Sequence, residues 1–446
     1  MSRVDGFDLF AHGLGGGADL PIPPELAIAG GCAALTVSFA VLLVAWRHAR
    51  FENVEGGRPV PASLAAVLDS TAFAVVVRVL GMLVFLYAAW AAVAGQNTLI
   101  NPFLGLVYVW LWVGLVPVSL LFGSFFKAVS PARTIHLLVS KLTGGDPDVG
   151  LRTYRAGWGY WPAALGLLAF VWLELVYQFP TEIASVRLWF AVYLAAMVIG
   201  SAVFGSTWLE RADPFEVYST LVGHLSVWGR NEREELVWRS PLRNLSAIRG
   251  EPGLVAVVAI LLGSTAYDSF RESIVWVRFT QSYEGDVTVV NTGALLLALL
   301  IVGLTFSAAT MATGVDRVEG GRRRLPGIFA HSVVPIIVGY MVAHYLTLFV
   351  EQGTATLIYA SDPLSNGSNL FGTADGEIIY WFSNHPSVLA TVKVVAIVTG
   401  HVLGVIAAHD KAVQVLPANK HVVGQLPLLF AMVLYTFGGL YLLFGV

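Results

Sequence analysis

Long apolar stretches recur ten times along the 446-residue chain. A helix needs about 20 mostly apolar residues to cross the hydrocarbon core of a bilayer, and it satisfies its own backbone polar groups there. The stretches therefore predict an all-α fold, a polytopic integral membrane helix bundle of about ten transmembrane helices. They cover residues 26–46, 72–94, 102–125, 160–178, 187–208, 252–268, 290–315, 325–350, 386–408 and 423–445.

The composition limits the kinds of partner. Charged residues make up 12% of the chain, against roughly 25% in soluble domains. The formal net charge of -3 leaves no excess of basic residues for a polyanion, so we expect no nucleic-acid partner. The expected partners are the lipid bilayer and a small-molecule or ion substrate. Because Cys32 is the single cysteine, a thiolate metal cage is excluded.

The placement of basic residues predicts the orientation of the bundle. Of the 26 Lys and Arg residues, 20 fall in the loops after the odd-numbered apolar stretches and four fall on the opposite side. Lys and Arg accumulate in cytoplasmic loops. We therefore expect both termini to be extracytoplasmic, in a multi-pass protein of the cytoplasmic (inner) membrane.

The pattern indicates a single transmembrane domain over residues 1–446. Residues 1–25 form an extracytoplasmic tail, 26–250 hold the N-terminal spans, and 251–446 hold the C-terminal spans with the candidate site. An outer loop, 351–386, contains no Lys or Arg and is too long for a simple connector. Its length indicates a lid or vestibule over the site.

An internal repeat follows the third and fifth apolar stretches. FGSFFKAVSPARTIHLLVSKL at 122–142 and FGSTWLERADPFEVYSTLVGHL at 204–225 each close a span with Phe-Gly-Ser. Each then gives a capping Ser or Asp and a proline, Pro131 or Pro214, suited to the first turn of a short helix. The two copies predict a parallel repeat of a two-span unit. The charged run after the second copy, 228–252, predicts an amphipathic helix on the membrane surface.

Ionisable side chains inside the C-terminal apolar stretches mark the candidate site. Such groups are costly in hydrocarbon and usually face a bundle interior or a wet cavity. A rise of about 1.5 Å per residue puts His344 and Lys393 at a similar depth, in an outer layer. An inner layer holds His331 and His401. The predicted catalytic residues are His344, Lys393, Asp268 and Glu351, with Glu174 nearby.

The sequence contains no H-E-x-x-H, G-x-S-x-G, Walker A or C-x-x-C motif. Histidines and acids from different helices could still hold a divalent metal with one open position. The candidate ligands are His344, His401, Asp362 and Asp375. For each histidine the alternative is a buried side chain that is hydrogen-bonded to a neighbouring helix.

Several strings resemble those of a known family. GSTAYDSF, ADPFEVYSTLV, VAHYLTLFVEQG, SDPLSNGSNLFGTAD and GHVLGVIAAHDKA are similar to segments of bacterial and archaeal multi-span membrane proteins commonly named fenitrothion hydrolases. The similarity extends over most of residues 8–446. It implies hydrolysis of an organophosphate triester, without naming the catalytic residues. The strings carry the candidates Asp268, His344, Asp362, Asp375, His401 and His409.

Two classes of function remain open. As a hydrolase, the protein would use a metal or a histidine base to activate water, and Lys393 would stabilise charge on the phosphoryl group. As a transporter or channel, it would use the outer and inner layers as successive stations for a proton, a metal ion or a small anion. The family resemblance favours the hydrolase, whereas ionisable groups at two depths favour transport.

Overall fold

The computed structural model describes residues 20–51, 56–313, 321–417 and 421–444. Within these ranges the chain is almost entirely helical apart from three short strands, so the predicted all-α class is confirmed. Residues 1–19 of the predicted tail lie outside the described ranges. The helices, in chain order, are α1 Pro24–Ala45, α2 Ala62–Leu68, α3 Thr71–Ala94, α4 Pro102–Gly105, α5 Leu115–Phe122, α6 Phe125–Val129, α7 Pro131–Thr143, α8 Trp161–Leu175, α9 Ile183–Phe204, α10 Ser206–Ala212, α11 Pro214–Gly223, α12 Pro241–Ser246, α13 Leu254–Arg271, α14 Ile274–Ser282, α15 Val287–Met311, α16 Leu325–Phe329, α17 Val334–Tyr359, α18 Pro386–Val415 and α19 Leu426–Phe444.

The long helices coincide with the predicted apolar stretches. In the described part of the chain, nine helical segments are long and apolar enough to cross a membrane, and one bent pair would make a tenth. By length and composition, these helices are candidate membrane spans of an all-α bundle. The segments that contain α13 and α17 are the most enclosed, with 72% of their most apolar windows buried, whereas the window of α3 has none. Therefore α13 and α17 form the centre of the bundle.

The eighth apolar element is longer than predicted and is interrupted near its start. A turn of 3-10 helix, Ala330–Val333, separates α16 from α17, and Pro335 follows in the first turn of α17. The helix then continues to Tyr359, because the next helix-breaking residue is Pro363. The predicted outer loop 351–386 is thus wrong in its first part. The connecting segment is 360–385, and we call the end of the bundle where it lies the loop end.

The third span is bent. A π-helix, Leu106–Val113, joins α4 to α5, and the two halves of the span meet at 45°. Glycines flank the π-helix and let it approach α17. A Cβ atom at Gly105 would lie 1.9 Å from the Thr356 hydroxyl oxygen, and one at Gly114 would lie 3.2 Å from the Phe349 ring. The Trp110 indole N–H donates to the Gly353 carbonyl at 3.2 Å, which fixes the π-helix against α17.

The two repeat copies form matching helical hairpins. In the first copy α6 and α7 pack on α3, and in the second α10 and α11 pack on α8. Each hairpin tip reaches a glycine in the middle of the longer helix. A Cβ at Gly81 of α3 would lie 2.3 Å from the Val129 carbonyl oxygen, and one at Gly166 of α8 would lie 3.0 Å from Pro214. Both hairpins therefore insert between the long helices.

Contacts between the hairpins follow an approximate two-fold symmetry. Positions 83 residues apart are equivalent, and such positions pair directly: the Lys127 ammonium lies 2.7 Å from the Glu210 carboxylate. The Arg133 guanidinium binds the Glu216 carboxylate with two hydrogen bonds, at 2.6 and 2.5 Å. Residues that meet their own equivalents lie near a two-fold axis. The axis passes between α7 and α11.

The predicted amphipathic helix after α11 is wrong. Residues 228–238 form a β-hairpin of β2, Trp228–Arg230, and β3, Leu236–Trp238, and β3 also pairs antiparallel with β1, Arg58–Pro59. The Asn231 side chain accepts hydrogen bonds from the backbone N–H groups of Arg233 and Glu235. Asn side chains that bond to nearby backbone groups favour a turn over a helix. The prediction of an amphipathic helix did not take this turn into account.

Candidate functional site

The Asp268 carboxylate, in the last turn of α13, is the centre of a buried polar cluster. It is fully buried, with 0% exposure. Its Oδ2 atom accepts a hydrogen bond from the Tyr345 hydroxyl at 2.8 Å and lies 2.9 Å from His344 Nε2. Its Oδ1 atom accepts a hydrogen bond from Arg271 Nε at 2.8 Å. Three side chains from two central helices thus converge on one carboxylate.

His344 bridges Asp268 to a hydroxyl group. Its Nδ1 atom lies 3.1 Å from the Ser269 hydroxyl oxygen, while Nε2 faces Asp268. In the neutral ring one nitrogen donates and the other accepts. The Ser269 hydroxyl also lies 3.2 Å from the Thr265 carbonyl, so its one hydrogen can be donated either to that carbonyl or to His344 Nδ1. The edge of the Tyr345 ring packs on the imidazole, with 4.6 Å between centroids, and limits its rotation.

Arg271 links this cluster to a second carboxyl group. Its Nη1 atom donates to the Leu175 carbonyl at the end of α8, at 2.9 Å. The Glu174 side chain lies in the same turn of α8 and interacts electrostatically with both Asp268 and Arg271. Arg271 stays charged because a guanidinium does not deprotonate in proteins. Three acids, Asp268, Glu174 and Glu272, interact electrostatically with this guanidinium, so the acids outnumber the permanent positive charge.

A hydrogen bond joins two of the four predicted catalytic residues. Asp268 and His344 are in direct contact. Lys393 lies on α18, which packs against α17, and is buried with 1% exposure. Glu351 lies two turns after His344 on α17, and its carboxylate accepts a hydrogen bond from the Ser383 hydroxyl near the end of the loop segment.

The four suggested metal ligands do not form one site. Among the residues that the structure describes, no three His, Cys, Asp or Glu side chains form a group that could hold a metal ion. The His401 Nδ1 atom lies 2.9 Å from the carbonyl of Ile397 in its own helix, while Nε2 is buried without a hydrogen-bond partner among the described residues. Asp375 is exposed in the loop segment. The described part of the chain therefore does not bring the four suggested ligands together.

Asp362 organises a turn in the loop segment. Its carboxylate accepts hydrogen bonds from the backbone N–H groups of Asn366 and Gly367, at 2.9 and 2.8 Å, and from the Ser368 hydroxyl. The Asn366 hydrogen bond is the largest of the effects that hold the pKa of Asp362 below its usual value. These bonds involve both carboxylate oxygens, so Asp362 stabilises the turn of the loop segment.

The histidines of the predicted inner layer have backbone partners or side-chain partners. His331 Nδ1 lies 2.9 Å from the Ile328 carbonyl. Both nitrogens of His409 are engaged, one with the Gln425 side chain and the other with the Trp46 carbonyl, each at 2.9 Å. His409 is therefore a buried histidine whose two ring nitrogens are both hydrogen-bonded to neighbouring segments, the alternative to a metal ligand.

Three cluster members were not predicted from the sequence. Arg271 follows Asp268 by three residues, a spacing that pairs side chains on one helix face, so this signal was present. Tyr345 and Ser269 are sequence neighbours of His344 and Asp268. Their contribution depends on how α13 and α17 face each other, which no local pattern specifies.

Two small pockets in the described part of the chain lie away from this cluster. One is lined by α13, α15 and α19, and the other by α1, α18 and α19. Neither is lined by Asp268, His344 or Ser269.

Comparisons with protein-family models, curated proteins and solved structures give no match. The class of protein therefore rests on the fold and the cluster. Within the described residues, the chain is an all-α bundle with nine or ten candidate membrane spans and a buried Asp–His pair between its two central helices.

Proposed function

We propose that this protein moves protons across a membrane through the Asp268–His344 pair, alone or coupled to a small solute. The observation that carries the proposal is the pair itself. A fully buried carboxylate lies 2.9 Å from an imidazole between the two central helices of the bundle. Histidine exchanges protons near neutral pH. Acid and histidine side chains inside membrane bundles are the usual components of proton pathways.

The backbone supports the same function. Transporters often contain internal repeats and discontinuous helices at mid-membrane, where irregular backbone meets the transported species. This chain has two matching inserted hairpins, a π-helix in its third span and a 3-10 turn before α17. A proton also needs no cavity of substrate size. From the distribution of basic residues, the loop end faces outward and the opposite end faces the cytoplasm.

Proton flux in liposomes tests the proposal. Purified protein is reconstituted with a trapped pH-sensitive dye, and a potassium gradient with valinomycin sets an inside-negative potential. We expect the wild type to acidify the lumen and both Asp268→Asn and His344→Gln to abolish the effect. Asp375→Asn, in the exposed loop, is the matched acid control and should behave as wild type. Wild-type liposomes that acidify no faster than empty ones, with and without added solutes, would refute the proposal.

A second candidate is ester or phosphotriester hydrolysis, which one observation favours. Ser269, His344 and Asp268 form a hydrogen-bonded series with the roles of a nucleophile, a base and an orienting acid. The resemblance to fenitrothion hydrolases points the same way. Ser269 is only 6% exposed, however, and lies within α13. Turnover of a chromogenic phosphotriester by the wild type, lost in Ser269→Ala, would favour hydrolysis over transport.

A further inference from the structure

Glu174, an acid near the Asp268–His344 pair, has one carboxyl oxygen whose hydrogen bonding is not satisfied by the described residues. The Oε2 atom of Glu174 is buried and has no hydrogen-bond partner among the described residues. A buried carboxyl group without a hydrogen bond is unfavourable by several kcal/mol. Buried polar atoms in native proteins are therefore almost always satisfied by protein, ligand or water. Something other than the described side chains has to satisfy Glu174.

Two more buried atoms of the same region lack a hydrogen-bond partner among the described residues. They are the indole N–H of Trp112 in the π-helix and the hydroxyl of Tyr218 in α11. The two rings pack with centroids 5.2 Å apart, and the Trp112 ring lies 5.1 Å from that of Phe170, one turn before Glu174 on α8. Tyr218 also interacts electrostatically with Glu174. The three residues that carry these atoms thus belong to one region between the π-helix, α8 and α11.

The hydrogen-bond donors and acceptors among these three atoms indicate which species can bind between them. An indole N–H can only donate, an ionised carboxylate oxygen can only accept, and a tyrosine hydroxyl can do both. A metal cation would face the positive end of the Trp112 N–H group. An anion would face the carboxylate of Glu174. Water donates and accepts, and buried waters commonly bridge such groups.

We propose that Glu174 is a second proton-exchanging group, joined to the Asp268–His344 pair by water that Trp112 and Tyr218 hold. This inference rests on the proposed proton transport. In the step, an O–H bond forms at Glu174 as a bond to hydrogen breaks at the pair, with water between them and no change of oxidation state. The ionisable groups that face Glu174 are Asp268, Arg271, Tyr108, Tyr218 and Tyr345.

The liposome assay tests the role of Glu174. Glu174→Gln keeps the size of the side chain but removes the exchangeable carboxyl proton. We expect flux to fall by roughly 100-fold, the scale of losing one positioned proton-transfer group. Glu174→Asp keeps the carboxyl and should restore part of the flux. Glu284→Gln, at an exposed acid in the connection between α14 and α15, is the control and should leave flux unchanged. Unchanged flux in Glu174→Gln would overturn the inference while leaving the proposed function in place.

Infrared difference spectroscopy gives a readout that does not depend on transport. On a pH step, the wild type should give a carboxyl band that Glu174→Gln removes and Asp268→Asn retains. It should also give an internal-water band that shifts in H₂¹⁸O and changes in Tyr218→Phe and Trp112→Phe. The absence of either band overturns the inference even if flux is observed. If the wild type carries no flux, the proposed function fails, and the two bands still decide whether Glu174 exchanges a proton with bound water.

Discussion

The hydrogen bonds to Asp268 differ in what each donor contributes. Arg271 supplies a permanent positive charge, His344 supplies an imidazole nitrogen, and Tyr345 supplies a neutral hydroxyl. A hydrogen bond to a charged acceptor stabilises a fold more than one between neutral groups. Tyr345 is therefore the residue whose loss changes stability without removing a charge or the imidazole.

We expect Tyr345→Phe to lower stability by about 1.5–3 kcal/mol, the range for a hydrogen bond to a charged group. The matched control is Tyr154→Phe, because the Tyr154 hydroxyl donates to the neutral Gly159 carbonyl at 2.7 Å. That change should lower stability by about 0.5–1.5 kcal/mol. The measurement is unfolding of the detergent-solubilised proteins in a denaturant series. Equal losses in the two variants would mean that Asp268 is not held as a charged acceptor.

Two of the five cluster residues were predicted from the sequence. Asp268 and His344 are predictable because an ionisable residue in an apolar stretch is conspicuous. Their direct contact is not predictable, since it depends on the rotation of α13 against α17. The suggested metal ligands have local partners instead. Asp362 is engaged within its own turn, and His401 is bonded to its own helix.

Two ion pairs join the inserted hairpins, and they differ in how deeply they are buried. The ion pair between Arg133 and Glu216 is nearly enclosed, with side-chain exposures of 14% and 2%. The pair between Lys127 and Glu210 is open, with 49% and 42%. Breaking a buried pair leaves an uncompensated charge, whereas an exposed pair is screened by water. Each pair joins equivalent positions of the two repeat copies, and the two pairs contribute unequally to stability.

Charge reversal should separate the two pairs. We expect Arg133→Glu and Glu216→Arg each to destabilise the protein by about 3–5 kcal/mol, and the double reversal to recover much of that loss. Lys127→Glu, at the exposed pair, should change stability by about 1 kcal/mol or less, because water screens this pair and Glu210 also lies 3.7 Å from Arg133. Unfolding in detergent measures all four variants. A double reversal of Arg133 and Glu216 that is no more stable than the single variants would argue against a direct pair.

The helical elements were predictable because each apolar stretch satisfies its backbone only as a helix. Their ends were harder to predict. The fifth span ends at Phe204, four residues earlier than expected, because Gly205 takes a left-handed φ of 69°. The eighth extends nine residues past the predicted end. The β-hairpin at 228–238 was missed, since mixed charge with Trp and Leu resembles an amphipathic helix.

At the scale of the whole molecule, the hairpin pair and the central helices form one packed unit. The hairpin helix α11 contacts α17, and α17 carries His344 of the polar cluster. The repeat and the candidate site are therefore neighbours, although they lie in different halves of the sequence. Movement of a hairpin would reach the cluster through α11 and α17. The direction of any proton movement then depends on which end of the bundle faces outward.

Cysteine accessibility tests the orientation, which the 20-to-4 distribution of basic residues predicts. In a Cys32→Ala background, Asn366→Cys places a thiol in the loop segment and Gly145→Cys places one in the exposed connection after α7. A Cβ atom at Gly145 meets only ordinary contacts, so the change should be tolerated. We expect an impermeant thiol reagent to label Asn366→Cys in intact cells, and to label Gly145→Cys only after the membrane is permeabilised. Each variant serves as the control for the other. Labelling in the reverse order would invert the assignment of the loop end and the direction of the inside-negative driving force in the liposome assay.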